Sequence, residues 1–229
     1  MEIIRGVFGL FAVVFNTLFW CIFLLSIAIL KLLLPIESWK RVCTKLIINV
    51  GECWIYCNGL WIQALHKPEW KIEGFESLDN TRWYLSVANH QSWADIFVLQ
   101  AITNRKVPML KFFMKHVLIW VPVIGLAWWA LDMPFLKRYS KEELDKNPNL
   151  RGKDIKAMEK SFERYSRYPV SIFSFAEGTR FNEVKRLSQD SKFKNLLNPK
   201  SGGIGLTSVS YTHLRAHETP EHRGLRRGG

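Results

Sequence analysis

The chain has 229 residues, a formal charge of +12 and 48% hydrophobic residues, with ten tryptophans among its aromatics. That length can hold one catalytic domain plus an appendage and is enough for a sizeable core. The positive excess points to an anionic partner: nucleic acid, an anionic membrane or an anionic substrate. No basic block carries a nucleic-acid motif, and the aromatic and apolar richness favours the membrane.

Residues 7–30 are almost entirely apolar, with Asn16, Thr17 and Ser26 as their clearly polar members and Arg5 and Lys31 as bounds. About 20 such residues span a bilayer as a helix. A signal peptide would have a shorter apolar run and a small-residue cleavage site. Lys31, Lys40, Arg41 and Lys45 follow the run and only Arg5 precedes it, which puts its C-terminal side in the cytoplasm. Residues 46–64 form a second apolar segment, broken by Asn49, Glu52 and Asn58. A second membrane span and an interfacial helix both fit it, and a helical pair with a partly polar inner face is the preferred reading. Cys21, Cys43, Cys53 and Cys57 lie in apolar surroundings and read as reduced, buried thiols. No second ligand pair follows Cys53 and Cys57 to complete a zinc site.

Farther on, short apolar runs alternate with helical patterns, which predicts an α/β domain. Residues 83–88 read as a strand and 93–101 as the start of a helix. Between them runs Asn89-His90-Gln91-Ser92-Trp93-Ala94-Asp95. A strand that ends in histidine and turns into a helix delivers an imidazole to a cleft. Asp95, one to two turns along, folds back onto the ring, so the window supplies a general base and its orienting group. Ser92 lacks the glycine neighbours of a nucleophile elbow. Residues 109–119 mix lysines with apolar residues at helical spacing and predict a helix. Residues 120–129 are unusually apolar and hold Trp120, Trp128 and Trp129. They read as core, with a surface that dips into lipid as the alternative.

A short strand over 132–136 would deliver Arg138. Residues 140–153, with Asn147-Pro148-Asn149 and Gly152, read as a surface excursion. Residues 152–168 form a charged amphipathic pattern, and 170–175 read as a β-branched and aromatic strand. Directly after it comes Glu177-Gly178-Thr179-Arg180. Gly178 lets the backbone turn sharply, and Arg180 presents a planar fork suited to a phosphate. Glu177 holds either that guanidinium or a nearby backbone group. A solvated turn is the alternative, because this composition is common. His66 and His116 lack an acidic partner at comparable spacing and read as structural. No metal is implied.

Residues 208–219, Ser-Val-Ser-Tyr-Thr-His-Leu-Arg-Ala-His-Glu-Thr, match a translated sequencing adapter. Residues 208–229 are therefore expected to be a non-native tail, with a basic disordered extension as the alternative. His213 and His217, spaced like a helical metal pair, are discounted with it. The basic character does not depend on the tail, because Lys and Arg still outnumber Asp and Glu without it.

Taken in order, Asn89-His90 with Asp95, the block ending in Arg138, and Glu177 to Arg180 carry a resemblance. The chain resembles the glycerolipid acyltransferases of the 1-acylglycerol-3-phosphate acyltransferase (PlsC-like) type, whose signature is Asn-His-x4-Asp, a block ending in Arg, and Glu-Gly-Thr-Arg. Within that family it is similar to the YihG-like branch of enterobacterial inner-membrane acyltransferases, through residues 93–96, 128–139 and 195–204. The likeness covers most of residues 1–207. It implies an α/β fold in which helices flank an acyltransferase sheet and N-terminal membrane helices precede it. The expected division is a membrane-anchoring helical segment over 1–64, a partial acyltransferase domain over 65–207, and the tail over 208–229. A fourth block, an apolar strand containing proline, normally follows the Gly202-Gly203-Ile204-Gly205 region. Here that region runs into the tail, so the fold is expected to be incomplete at its C-terminus.

The resemblance implies transfer of an acyl group from acyl-CoA or acyl-carrier protein to the hydroxyl of a lysophospholipid, 1-acylglycerol-3-phosphate foremost. His90 and Asp95 are the expected catalytic pair. Arg180 and Arg138, with Lys115 as a weaker candidate, are expected to bind the acceptor phosphate, in a substrate-binding turn with Glu177, Gly178 and Thr179. No cofactor beyond the acyl donor and no nucleic-acid partner is expected; the partners are lysophospholipid and membrane phospholipid. The expected location is the bacterial inner membrane, with the catalytic domain facing the cytoplasm. Other readings are an acceptor such as lysophosphatidylglycerol, a membrane-anchored esterase or thioesterase, and a non-catalytic lipid-binding protein.

Overall fold

The computed structural model describes residues 2–137, 146, 161–165, 167–200 and 205. Arg138, the surface excursion over 140–153 (Lys146 apart) and the tail over 208–229 lie outside the described residues.

Two long helices come first. Helix α1 spans Glu2–Leu33 and α2 spans Glu37–His66. Pro35 separates them, since it cannot donate to the preceding turn and bars its neighbour from helical geometry. Helix α2 ends where Lys67 takes a left-handed conformation (φ 45°) and donates its N–H to the Gln63 carbonyl. The two helices run antiparallel. The Asn16 side chain donates to Asn58 Oδ1 at 2.8 Å and to the Trp54 carbonyl at 3.1 Å, and Trp54 Nε1 donates to Thr17 Oγ1 at 3.0 Å. This is the expected helical pair with a partly polar inner face. Ala12, Asn16, Cys21, Leu24 and Ala28 form the buried stripe of α1, while Phe11, Phe15, Phe19 and Ile22 are exposed. Among the described residues, α1 is the one helix long and apolar enough to cross a membrane. All four cysteines are free; Cys21 and Cys43 are buried, whereas Cys53 and Cys57 are half-buried rather than buried as expected.

The α/β unit follows. Strands β1 (Tyr84–Ala88), β2 (Leu110–Phe112) and β5 (Ser171–Phe175) form a parallel sheet in the order β1-β5-β2. Tyr84 pairs with Ser171 and Ala88 with Phe175, so β1 and β5 end level with each other. Helix α3 (Ala94–Thr103) follows β1. A second, two-stranded parallel sheet joins β3 (Met114–Lys115) to β4 (Phe135–Leu136). Helix α4 (Ile124–Ala130) lies between those strands, and α5 (Glu183–Ser188) follows β5. Residues 161–165, within the predicted amphipathic helix, are helical.

The helix predicted over 109–119 is not formed. That stretch gives β2, β3 and a 3-10 turn over His116–Trp120. The periodicity misleads because Lys111 is not on a solvated face: it is 1% exposed and pairs in register with Ile172. Pairing with the central strand β5 outweighs the local helical preference. The predicted 132–136 strand shortens to β4, because Asp132 adopts a left-handed conformation (φ 54°). The apolar run 120–129 divides its faces: Ala127 is buried while Trp120, Leu126 and Trp129 are exposed. Gly125 is required there, since a Cβ would collide with the Ile119 carbonyl.

One hydrophobic core joins the hairpin to the α/β unit. Cys21, Leu24 and Ala28 of α1 and Ile47 and Ile55 of α2 pack with Met109, Ala127, Leu131 and Met133. At its edge sits a polar network around Asp132. Its carboxylate takes Arg164 at 3.0 Å, Tyr168 OH at 3.2 Å and Lys31 at 3.9 Å, and its carbonyl accepts Tyr165 OH at 2.6 Å. Lys111 Nζ donates to the Leu131 carbonyl at 2.5 Å.

Burial pushes the Lys111 ammonium down from 10.5 to about 8; Asp132 opposes the shift, and Lys31 and Arg164 add to it. A lysine whose folded pKa lies below its unfolded value binds more protons when unfolded. Its penalty on folding is therefore full below pH 8 and is relieved as pH rises toward 10.5. Replacing Lys111 with Met is expected to flatten the stability profile over that window. Thermal melts of both proteins from pH 7 to 10.5 measure it, and parallel profiles would remove Lys111 from the explanation.

Candidate active site

The site is assembled where β1 and β5 end together. Two residues past β1, His90 is 9% exposed, and its ring stacks on Phe175 at a centroid separation of 3.8 Å and 13° between planes. Its Nδ1 lies 2.9 Å from Asp95 Oδ2. Asp95 stands in the first turn of α3, and the same carboxylate oxygen accepts the backbone N–H groups of Gln91 at 2.6 Å and Ser92 at 2.9 Å. Ser92 Oγ reaches Asp95 Oδ1 at 3.3 Å and accepts the Ala94 N–H at 3.1 Å, so it closes the turn before the helix. Burial works to raise the Asp95 pKa, but the hydrogen bonds from His90, from the Ser92 and Gln91 amides and from the Ser92 hydroxyl outweigh it. The carboxylate is thus held ionised, and as an acceptor it selects the His90 tautomer that carries its proton on Nδ1. Nε2 has no hydrogen bond among the described residues, which leaves its lone pair available to a proton donor.

The second turn, after β5, is fixed to the first. Glu177 is 2% exposed. Its Oε1 accepts the His90 N–H and its Oε2 accepts the Leu197 N–H, each at 3.2 Å. The Phe181 N–H returns to the His90 carbonyl at 2.7 Å, and the Ala176 N–H to the Ala88 carbonyl at 3.0 Å. Gly178 has φ +66° and donates to the Phe175 carbonyl, as a tight reversal requires. Of the two partners expected for Glu177, the structure selects backbone. It stands beneath the turn rather than facing solvent, so its geometry is that of a positioning residue. Arg180 is exposed, and its guanidinium lies 4.6 Å from the centre of the Trp93 ring, a cation–π contact that parks the fork beside His90's own turn.

Lys115 is exposed on β3, and no contact joins it to His90 or Arg180 among the described residues. Thr179 receives a hydrogen bond from Lys185 Nζ at 2.8 Å, and the same ammonium donates to the Arg180 carbonyl at 3.2 Å. Lys185, Phe175, Trp93 and Gln91, whose amide donates to the Asn195 carbonyl at 2.9 Å, were not singled out by sequence. Lys185 sits on α5, eight residues past Glu177, and that spacing is the one local signal it offers. Among the described residues no group of three or more His, Cys, Asp or Glu side chains converges as a metal site.

A histidine paired with a carboxylate at the carboxyl ends of parallel strands, beside a basic turn, is an arrangement for moving a proton next to an anionic group. The acyltransferase family model matches residues 69–209, and the chain belongs to that family. Its fold is similar to the crystal structure of the 1-acyl-sn-glycerophosphate (LPA) acyltransferase PlsC from Thermotoga maritima. That match has 18% sequence identity and a TM-score of 0.52, and it covers 90% of this chain and 71% of that one. A comparison with curated proteins finds no match.

The Glu177→Gln substitution keeps the side-chain size but turns an amide donor toward one of two backbone donors. A buried group left unpaired costs about 2 kcal/mol, and this loss is expected in chemical denaturation of the detergent-solubilised protein. An unchanged midpoint would show that the two turns do not depend on the carboxylate.

Proposed function

We propose that this acyltransferase moves an acyl group from acyl-CoA or acyl-carrier protein onto the free hydroxyl of a lysophospholipid, foremost 1-acylglycerol-3-phosphate. The observation that carries the reading is the 2.9 Å contact between His90 Nδ1 and Asp95, which leaves Nε2 without a hydrogen bond among the described residues. Nε2 takes the hydroxyl proton as the acceptor oxygen attacks the thioester carbonyl. The carbon–oxygen bond forms, the carbon–sulfur bond breaks, and the proton on His90 passes to the departing thiolate. Asp95 stabilises the imidazolium between the two transfers. No covalent enzyme intermediate is needed. The Arg180 fork binds the acceptor phosphate, joined in this reading by Arg138 and Lys115, while Thr179 and Gly178 shape the turn and Glu177 holds it to His90.

The exposed apolar face of α1 supports a membrane location, where the acceptor lipid already resides. On the same reading the domain faces the cytoplasm of a bacterial inner membrane and the chain belongs to the YihG-like branch. Retention in the membrane pellet after alkaline carbonate washing tests the placement. Residues 208–229 are, on this reading, not native, and sequencing the coding DNA past the codon of Thr207 tests that.

A panel of lysophospholipids with acyl-CoA tests the chemistry. His90→Ala is expected to lower product formation by roughly 10²–10⁴-fold, the usual worth of a positioned base. Undiminished turnover in that variant overturns the mechanism, and free fatty acid without acylated lipid would make water the acceptor. Arg180→Gln is expected to raise the KM for lysophosphatidic acid by roughly tenfold, the scale of a charge-assisted hydrogen bond, and to leave the KM for acyl-CoA nearly unchanged. Equal rises for both substrates would remove Arg180 from phosphate binding.

A further inference from the structure

At the other end of the sheet, where α1 ends and α2 begins, the hairpin and the α/β unit line a half-open cavity of about 510 Å³. That volume falls in the range of small-molecule sites. Its lining carries six cations: Lys31, Lys40, Arg41 and Lys45 from the hairpin, Arg164 and Arg167 from the α/β unit. Two carboxylates face them. Glu37 binds Lys40 and Arg167, each at 3.0 Å, and Asp132 binds Arg164 and Lys31. Arg41 and Lys45 have no ion-pair partner among the described residues, so the cavity keeps a positive excess. Val42 and Ile48 of α2 also line it, and Leu32, Leu33, Ile36 and Leu46, neighbours in sequence of its lining residues, are exposed apolar side chains on the same hairpin. A small soluble anion would use the cations and leave these residues to water. A phospholipid uses both, because its phosphate meets the cations while its acyl chains lie along the helices.

We infer that this cavity binds the phosphate of an anionic phospholipid at a site separate from His90, clamping the α/β unit to the helical hairpin. The separation follows from the topology. Tyr168 lines the cavity ahead of β5, whereas Glu177 follows it. A five-residue strand between them spans roughly 17 Å. The inference rests on the membrane placement of α1 and is independent of the acyl-transfer chemistry.

Native mass spectrometry of the full chain in detergent tests it, with phosphatidylglycerol, phosphatidylcholine of the same chains, and inorganic phosphate as probes. Phosphatidylglycerol is expected to saturate at one strongly held molecule per chain, about tenfold tighter than phosphatidylcholine. Inorganic phosphate is expected to compete only weakly. At about 1 kcal/mol per basic residue near a lipid surface, Arg41→Gln with Lys45→Gln should weaken that binding roughly 30-fold. A control pair of exposed cations, Lys71→Gln with Arg82→Gln, and His90→Ala should each bind as the unchanged protein does. Four results would overturn the site: full affinity in the Arg41/Lys45 variant, an equal loss in the control pair, loss of binding in Arg180→Gln, or phosphate binding as tightly as lipid. Carbonate extraction reads the membrane placement separately, so the two failures are distinguishable.

Discussion

A buried carboxylate bridging two backbone amides is the constraint on which the site depends. Strands β1 and β5 are neighbours in space but lie more than 80 residues apart in the chain, and no short turn ties their ends. Glu177 does so from beneath, with one oxygen on the His90 amide and the other on that of Leu197. Taking a charge out of water is costly unless its oxygens are hydrogen-bonded, and here both are. The reward is positional. With His90's backbone held from below, its ring stacked on Phe175 and its Nδ1 on Asp95, the imidazole has little freedom left to lose when substrate arrives.

The sheet separates two polar systems that use their carboxylates differently. At the carboxyl ends, Asp95 gathers donors from one turn and one ring and so remains an acceptor next to the histidine. At the opposite ends, Asp132 gathers long side chains from α1 and from the helical residues near 164. The first is local and orients one imidazole. The second is long-range and fastens parts of the fold to one another, with Lys111 buried alongside.

Much of the frame was legible. The strand at 83–88, the helix behind it and the strand at 170–175 stand within one or two residues of their observed bounds. Each is a contiguous apolar run with a clear breaker beside it, so local pattern suffices. The run at 109–119 was not legible as strand, because its partner lies about 60 residues downstream and Lys111 imitates a solvated helical position. The His90–Asp95 contact was readable from spacing, since both residues belong to one strand–turn–helix unit. Glu177's choice of partner was open, and Phe175 and Trp93 carried no signal. Their contacts exist only once β1 and β5 end level and bring two distant turns together.

The shared packing of hairpin and sheet has a dynamic consequence. Gly51 of α2 lies so close to Met109 and Leu131 that a methyl group there would press on both, and the same cluster takes in α1 and α4. Interiors packed at that density do not deform continuously. The two long helices share that interior with α4 and with Met109, Leu131 and Met133, which flank the strands β2 and β4. A change in packing at Gly51 is therefore felt at once by both long helices, by α4 and by the segment that leads into β2.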